Sequence, residues 1–162
     1  MQRLYVNGEE IQLNLWDTAG QERFRSLTPS YTRNSDAIVI AVDATDPASD
    51  ARASEWIAAI ESCSSTKGVV VAVAATKTDL QNTKQNATKA KKVAEKKKFL
   101  YFETSSKTKN KSVYDMFDTI SHAILAREAQ TEQMMEVNLE DAVNPSITDA
   151  GCCGLIKQPQ TS

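Results

Sequence analysis

Glycine is scarce. Five glycines in 162 residues is under half the usual share of about 7%. They stand at positions 8, 20, 68, 151 and 154. A phosphate cradle of the form Gly-x-x-x-x-Gly-Lys-Ser/Thr needs two glycines five apart, and no pair here has that spacing. A Gly-x-Gly-x-x-Gly dinucleotide loop is excluded for the same reason. Cysteine is also sparse: Cys63 stands alone and Cys152 and Cys153 are adjacent. That is no disulfide framework, and a reducing cytosol is the default compartment. Long apolar runs are missing. The longest, Val69 to Ala75, falls far short of the ~20 residues that span a bilayer. Residues 1–11 hold no apolar core of the kind that marks secretion. A single histidine, His122, lies about 180° around its helix from the apolar position Val113, so a surface place without a catalytic role is expected. No Ser/His/Asp or metal-cluster constellation is visible.

What is present has the balance of an ordinary globular domain: 41% hydrophobic, 25% charged, net charge −2. That small net charge hides a split. Lys84 to Lys98 holds seven lysines against the single acid Glu95, and Glu128 to Asp149 holds six acids and no Lys or Arg. The basic block has no arginine and no interleaved aromatic, the features nucleic-acid surfaces use. It reads as a solvated helix face, with an acidic lipid or acidic partner as the second reading, and no nucleic-acid partner is expected.

Leu4-Tyr5-Val6, then Asn7-Gly8, then Ile11, Leu13 and Leu15 in alternation predict a β-hairpin, with the second strand over 11–16. Residues 37–42, 69–75 and 99–102 are unbroken apolar runs, the pattern of strands buried on both faces. Helical stripes separate and follow them. The first, begun by Pro47, carries Ala53, Trp56, Ile57 and Ile60. The second is Ala87, Ala90, Val93 and Ala94. The third, over 112–127, is Val113, Phe117, Ile120 and Ile124. This order predicts an α/β fold, a doubly wound, mostly parallel sheet with helices on both faces. Glu128, Glu132, Glu136 and Glu140 would stack like charges on a helix, and Pro145 follows. Residues 129–162 are therefore expected to be a flexible acidic C-terminal tail, and 1–128 the folded domain. Cys63, late in its helix, is expected to be a small core filler.

In open parallel sheets ligands bind beyond the carboxyl ends of the strands. The predicted strands are followed by Asp17-Thr18-Ala19-Gly20-Gln21-Glu22, by Asp43, by Thr76-Lys77-Thr78-Asp79 and by Glu103-Thr104-Ser105-Ser106-Lys107. Helix capping accounts for Asp43 and Thr83 but poorly for the other three clusters together. The residue types suit a nucleotide. A carboxylate beside a glycine can hold a Mg²⁺-bound water while the glycine amide meets a phosphate. Asp79 can accept two hydrogen bonds from adjacent ring N–H groups, which guanine presents and adenine does not. The stem of Lys77 can lie along a purine face.

Residues 16–24, Trp-Asp-Thr-Ala-Gly-Gln-Glu-Arg-Phe, resemble the second-switch segment of Ras-superfamily small GTPases, the Rab family in particular. Residues 25–27 and 29–35 strengthen the Rab reading and resemble most the Golgi-associated Rabs. Thr76-Lys77-Thr78-Asp79 resembles the guanine-specificity motif, and residues 103–107 the second base-contact loop. The resemblance covers about residues 2–127 and implies GTP/GDP with Mg²⁺ as cofactors. By it Asp17 holds Mg²⁺ through water, the Gly20 N–H senses the γ-phosphate and Gln21 orients the attacking water. Thr76, Lys77 and Asp79 read the base, and Ser105, Ser106 and Lys107 complete its pocket. Effector and regulator proteins would read residues 21–35, with Phe24 and Tyr31 on that surface. The implied function is a molecular switch in vesicle-mediated transport. The protein would be a monomer in the cytoplasm, peripheral on the cytosolic face of Golgi or vesicle membranes if lipidated.

The sequence departs from this family in several places. The phosphate loop and the first switch are absent from the 162 residues, so the chain is expected to be catalytically impaired or inactive. The family places a further strand between those at 11–16 and 37–43. Losing three or four buried aliphatic side chains, at about 1.5–3 kcal/mol each, approaches the whole stability of a domain, about 5–15 kcal/mol, so poor folding of the chain alone is expected. Thr76 stands where Rabs carry asparagine, and Ser106 where alanine is usual. Gly151-Cys152-Cys153 resembles a doubly prenylated Rab end, but nine residues follow Cys153. No cysteine stands four from the terminus, which excludes ordinary C-a-a-X processing and argues against prenylation at Cys152 and Cys153, while palmitoylation stays open. The alternative function is a non-catalytic pseudo-GTPase or truncated product that acts as an effector-binding module. A different doubly wound nucleotide binder is a third reading, without a glycine loop to support it.

Overall fold

Parallel pairing is what the unbroken apolar runs produce. In the computed structural model, which describes residues 2–6, 8–18, 32–63, 68–108 and 111–143, β3 (Ala37–Asp43), β4 (Val70–Thr76) and β5 (Leu100–Glu103) form a parallel sheet in the order β3-β4-β5. Each spans its expected run, moved by about one residue. The register pairs Asp43 with Thr76 and Ala75 with Glu103, so the three carboxyl ends finish level.

Helices cover both faces, as the sequence predicts. Helix α1 (Ser49–Glu61) and helix α2 (Lys84–Lys97) lie on one side. Their stripes, Ala53, Ile57 and Ile60 with Ala87, Ala90 and Ala94, pack with Ile40, Val42, Val71 and Val73 of the sheet. Helix α3 (Lys111–Val143) covers the other. There Met116 and Ile120 close on Ala72 and Ala74, with Phe117 and Ile124 packed beside them. The alanines of α2 let its backbone approach the sheet closely. Arg127 Nη1 donates to the carbonyls of Asp36 (3.2 Å) and Gly68 (2.7 Å), which fixes α3 at the amino end of the sheet. No helix among the described residues is long and apolar enough to cross a membrane.

The hairpin forms a separate antiparallel sheet. β1 (Gln2–Val6) pairs β2 (Glu9–Leu13), with Val6 opposite Glu9. The turn between them uses Gly8 at φ +88°, a conformation that suits glycine. The second strand was expected over 11–16 and ends at Leu13. Its last pair is Gln2 with Leu13, so residues 14–16 face no opposite strand among the described residues. Leu15 (54%) and Trp16 (86%) are exposed.

The third helix was expected to stop at residue 127, with a flexible stretch from 129. Instead the helix continues to Val143. Between 129 and 143 the chain is rich in Ala, Glu, Gln, Met and Leu and holds no glycine or proline. These are strong helix formers, and a like-charge pair at i,i+4 opposes them by only ~0.2–0.5 kcal/mol. Residues 1–128 and 129–162 form two separate units. Within the first, the remaining sequence readings meet the structure directly. His122 is exposed, its Nδ1 2.9 Å from the Asp118 carbonyl. Cys63 is a buried free thiol just beyond the end of α1.

Candidate functional site

Three polar loops leave the carboxyl edge of the sheet side by side: 43–46 after β3, 76–83 after β4 and 103–108 after β5. Backbone bonds bind the last two together. Thr104 N donates to Ala75 O (2.8 Å), and both Thr78 N (3.3 Å) and Thr78 Oγ1 (3.1 Å) donate to Thr104 O. The Thr76 hydroxyl donates to Val42 O at 3.0 Å. It ties β4 to β3 and does none of the loop bridging that an asparagine amide could do there.

Lys77 begins the turn in the left-handed region, φ +60°, and its carbonyl accepts Leu80 N at 3.1 Å. That backbone sends the side chain back over the end of β3, where Lys77 Nζ meets Asp43 Oδ2 at 2.6 Å. The other oxygen, Asp43 Oδ1, accepts Thr45 N (2.8 Å) and Thr45 Oγ1 (2.7 Å). The Lys77 ammonium, then the Thr45 hydroxyl, hold the Asp43 carboxyl down at about 2. The expectation that Asp43 and Thr83 act as helix caps is therefore corrected. Asp43 is spent on Lys77 and its own turn. The Thr83 side chain makes no cap bond and points back to Leu80 O at 3.0 Å.

Asp79 is exposed, and Asp79 Oδ1 accepts the hydroxyl of Ser105 at 2.6 Å. Among the described residues no partner engages Oδ2. Ser105 is buried, and its oxygen also accepts Lys107 N at 3.1 Å. Ser105 N–H donates to Ser112 Oγ at 3.2 Å. Of the backbone donors expected at 105 and 106, only the exposed Ser106 N–H is thus left without a partner among the described residues. The edge consequently presents a carboxylate oxygen, an amide and an aliphatic lysine stem, held rigid from behind by a buried serine. That set complements a flat ring with two adjacent donors and a carbonyl.

The sequence reading missed the residues that hold this edge from below. Asn86 is buried on the apolar stripe of α2, and its Nδ2 donates to Ala44 O at 3.0 Å. Ser49, fully buried, donates to Asn86 O at 3.2 Å. An amide in line with Ala90 and Ala94 was the available signal. Tyr101 adds a further brace, its hydroxyl donating to Ala87 O at 2.9 Å. Burial, then the Glu103 carboxylate, raise the tyrosine's pKa.

Thr76, Lys77, Asp79, Ser105, Ser106 and Lys107 are therefore brought to one edge. Asp17 follows β2, is exposed, and makes no hydrogen bond or ion pair to that edge among the described residues. Gly20, Gln21, Phe24, Tyr31, Cys152 and Cys153 lie outside the described residues. No cluster of three His, Cys, Asp or Glu side chains able to hold a metal occurs among the described residues. The donor set at the sheet edge fits a guanine base. For the phosphates, none of the described residues supplies a lysine-bearing cradle.

Comparisons with known proteins identify the family. A profile of the Ras family matches residues 1–126. The chain is 32% identical over 154 residues to Ras-related protein Rab5A of Oryza sativa subsp. japonica, covering 94% of this chain and 75% of that one. It is 33% identical over 153 residues to Ras-related protein RABF2b of Arabidopsis thaliana, with 94% and 75% covered. It is 34% identical over 149 residues to GTP-binding protein ypt5 of Schizosaccharomyces pombe, with 88% and 69% covered. On the extent of these matches, the chain belongs to the Ras family of small GTPases, in its Rab branch.

Proposed function

We propose that this chain carries the guanine-reading half of a Rab switch of membrane trafficking, and that within its 162 residues it turns GTP over poorly or not at all. The observation that carries the reading is Asp79, fixed by Ser105 at 2.6 Å, with no partner on its other carboxylate oxygen among the described residues. In this reading Asp79 accepts two N–H groups of guanine, Ser106 N–H donates to the base carbonyl and Lys77 covers one ring face. Asp17 would hold Mg²⁺ through water, Gly20 would meet the γ-phosphate and Gln21 would orient water, when the phosphates are held. The bound Mg²⁺ would supply charge neutralisation. The lysine of a phosphate loop, which helps position the transferred phosphoryl group, is not among these residues.

Base contacts alone support binding on the order of 1 mM. Titration of the full chain with a fluorescent GTP analogue and Mg²⁺, together with a phosphate-release assay, tests this. Millimolar binding without release is expected. Micromolar or tighter Mg²⁺-dependent binding, or steady phosphate release, contradicts it.

A second reading, an effector-binding module without nucleotide chemistry, is favoured by Leu15 and Trp16. They stand 54% and 86% exposed at the entrance to residues 17–35, where apolar surface serves partner contact. The protein would act as a monomer on the cytosolic face of endomembranes. A Golgi assignment rests on residues 25–35, whereas the relatives above include proteins named Rab5A and ypt5. Imaging a tagged chain against markers of the Golgi and of other endomembranes tests the Golgi assignment. Mass spectrometry of the protein from eukaryotic cells tests whether Cys152 and Cys153 carry prenyl or palmitoyl groups.

A further inference from the structure

Helix α2 carries more positive charge than its place in the fold needs. Its buried side is Asn86, Ala87, Ala90 and Ala94. Opposite, Lys84, Thr88, Lys92 and Lys96 follow at four-residue spacing and are all exposed, a row about 18 Å long at 1.5 Å per residue. Neighbouring lysines are engaged. Lys97 pairs with Glu61 at 2.8 Å, and Lys91 lies 3.9 Å from Glu95. The row itself is not. Among the described residues, Lys84, Lys92 and Lys96 make no ion pair or side-chain hydrogen bond.

Helix stability accounts for only the end of this row, where Lys96 lies in the last turn and favours the macrodipole. Lys92 and Lys96 repel at i,i+4. Lys84 opens the helix, where the macrodipole is already positive and an acid is preferred; the first turn holds none. Nor is the row a by-product of a basic chain, since the net charge is −2. Its chemistry also argues against a protein partner. It contains no Arg, Trp or Tyr to anchor an interface, and lysine is depleted from interface cores. Point charges on flexible stems, with Thr88, Gln85 and the single acid Glu95 among them, match a diffuse negative plane.

We infer that the exposed face of α2 is a docking surface for anionic lipid headgroups, holding this side of the domain against a negatively charged bilayer independently of nucleotide and of any lipid anchor. The test uses the unlipidated full chain made in bacteria and vesicles of phosphatidylcholine with or without phosphatidylserine. Lys84→Gln/Lys92→Gln/Lys96→Gln is compared with the charge-matched Lys67→Gln/Lys111→Gln/Lys157→Gln. Glutamine keeps helix propensity, and matched far-UV circular dichroism verifies the fold. Binding to the phosphatidylserine vesicles alone is expected. It should fall on the order of 100-fold in the α2 variant and by no more than a few-fold in the control. Equal losses in the two variants overturn the inference, as does absence of binding to phosphatidylserine. Binding to polyglutamate but not to vesicles assigns the face to an acidic polypeptide and overturns it as well. Salt-sensitive self-association without vesicle binding does the same, and points to the acidic residues 128–149 of a second copy.

Discussion

The two sheets of this molecule differ in how completely they are closed. The β3-β4-β5 sheet has helices on both faces, with Val73 and Ala75 at 0% exposure. Among the described residues the β1-β2 hairpin pairs only with itself, and Tyr5 is 73% exposed. The base-reading loops grow from the first, while Asp17 follows the second. The loops proposed to read guanine are thus built on a packed support, while Asp17 follows a ribbon of the kind that is marginal in isolation. On the proposed reading, base recognition and phosphate handling are separable.

Breaking the closed sheet should give the largest effect. Val73→Asp buries an unpaired carboxylate between two helical layers, which exceeds the margin of a typical domain. Loss of the far-UV helical signal at ambient temperature is expected. Persistence of a cooperative melt would mean that the sheet is not the support. Asp79→Ala comes next. It removes hydrogen bonds to a charged acceptor worth about 1.5–3 kcal/mol each, so guanosine binding should vanish by NMR titration. The buried Ser105 hydroxyl it orphans costs about 1–3 kcal/mol of stability, which leaves the fold in place with a lowered melting temperature.

The Lys77–Asp43 pair sharpens the comparison with a smaller effect. The Asp43 carboxyl is held at about 2 rather than the ordinary 3.8. Its pairing therefore contributes above the ordinary value and is lost as pH falls toward about 2. Lys77→Met should move the Asp43 titration, followed by carbon-detected NMR, upward toward the ordinary range. Both side chains are substantially exposed, so stability should change by under ~1 kcal/mol. Trp16→Ala should alter the melting temperature least, because the ring contributes little burial. A large drop would show that the hairpin packs on more than its exposure indicates. The whole chain is itself informative. Two sheets that share no ladder are expected to melt broadly and at low temperature, and a sharp transition in the ordinary range would remove the case for poor folding.

How much was legible follows from how local each signal is. The runs 37–42, 69–75 and 99–102 were readable as parallel strands because strands buried on both faces need apolar residues without alternation. The three helical stripes were readable from spacing, though Met116, which is 5% exposed, was overlooked beside Phe117. Asp43 was misread as a cap because its partner Lys77 is 34 residues away. The extent of β2 could not be read from its own alternation, since pairing ends where the opposite strand does. Helix α3 outran its expected end because propensity outweighed a ladder of weak repulsions. At the site, Asp79 and Lys77 were legible as a motif. The capture of Ser105 N–H by Ser112, which leaves Ser106 as the donor, is a tertiary fact.

The most direct test of the central claim is an amide-resolved NMR titration of the full chain with guanosine, inosine and adenosine. None of these carries a phosphate. Guanosine should perturb Lys77, Asp79, Ser106 and Lys107 selectively. Inosine, lacking the amino group that gives Asp79 its second hydrogen bond, should do so more weakly, and adenosine not at all. Equal responses to all three nucleosides, or shifts confined to other residues, would contradict the account.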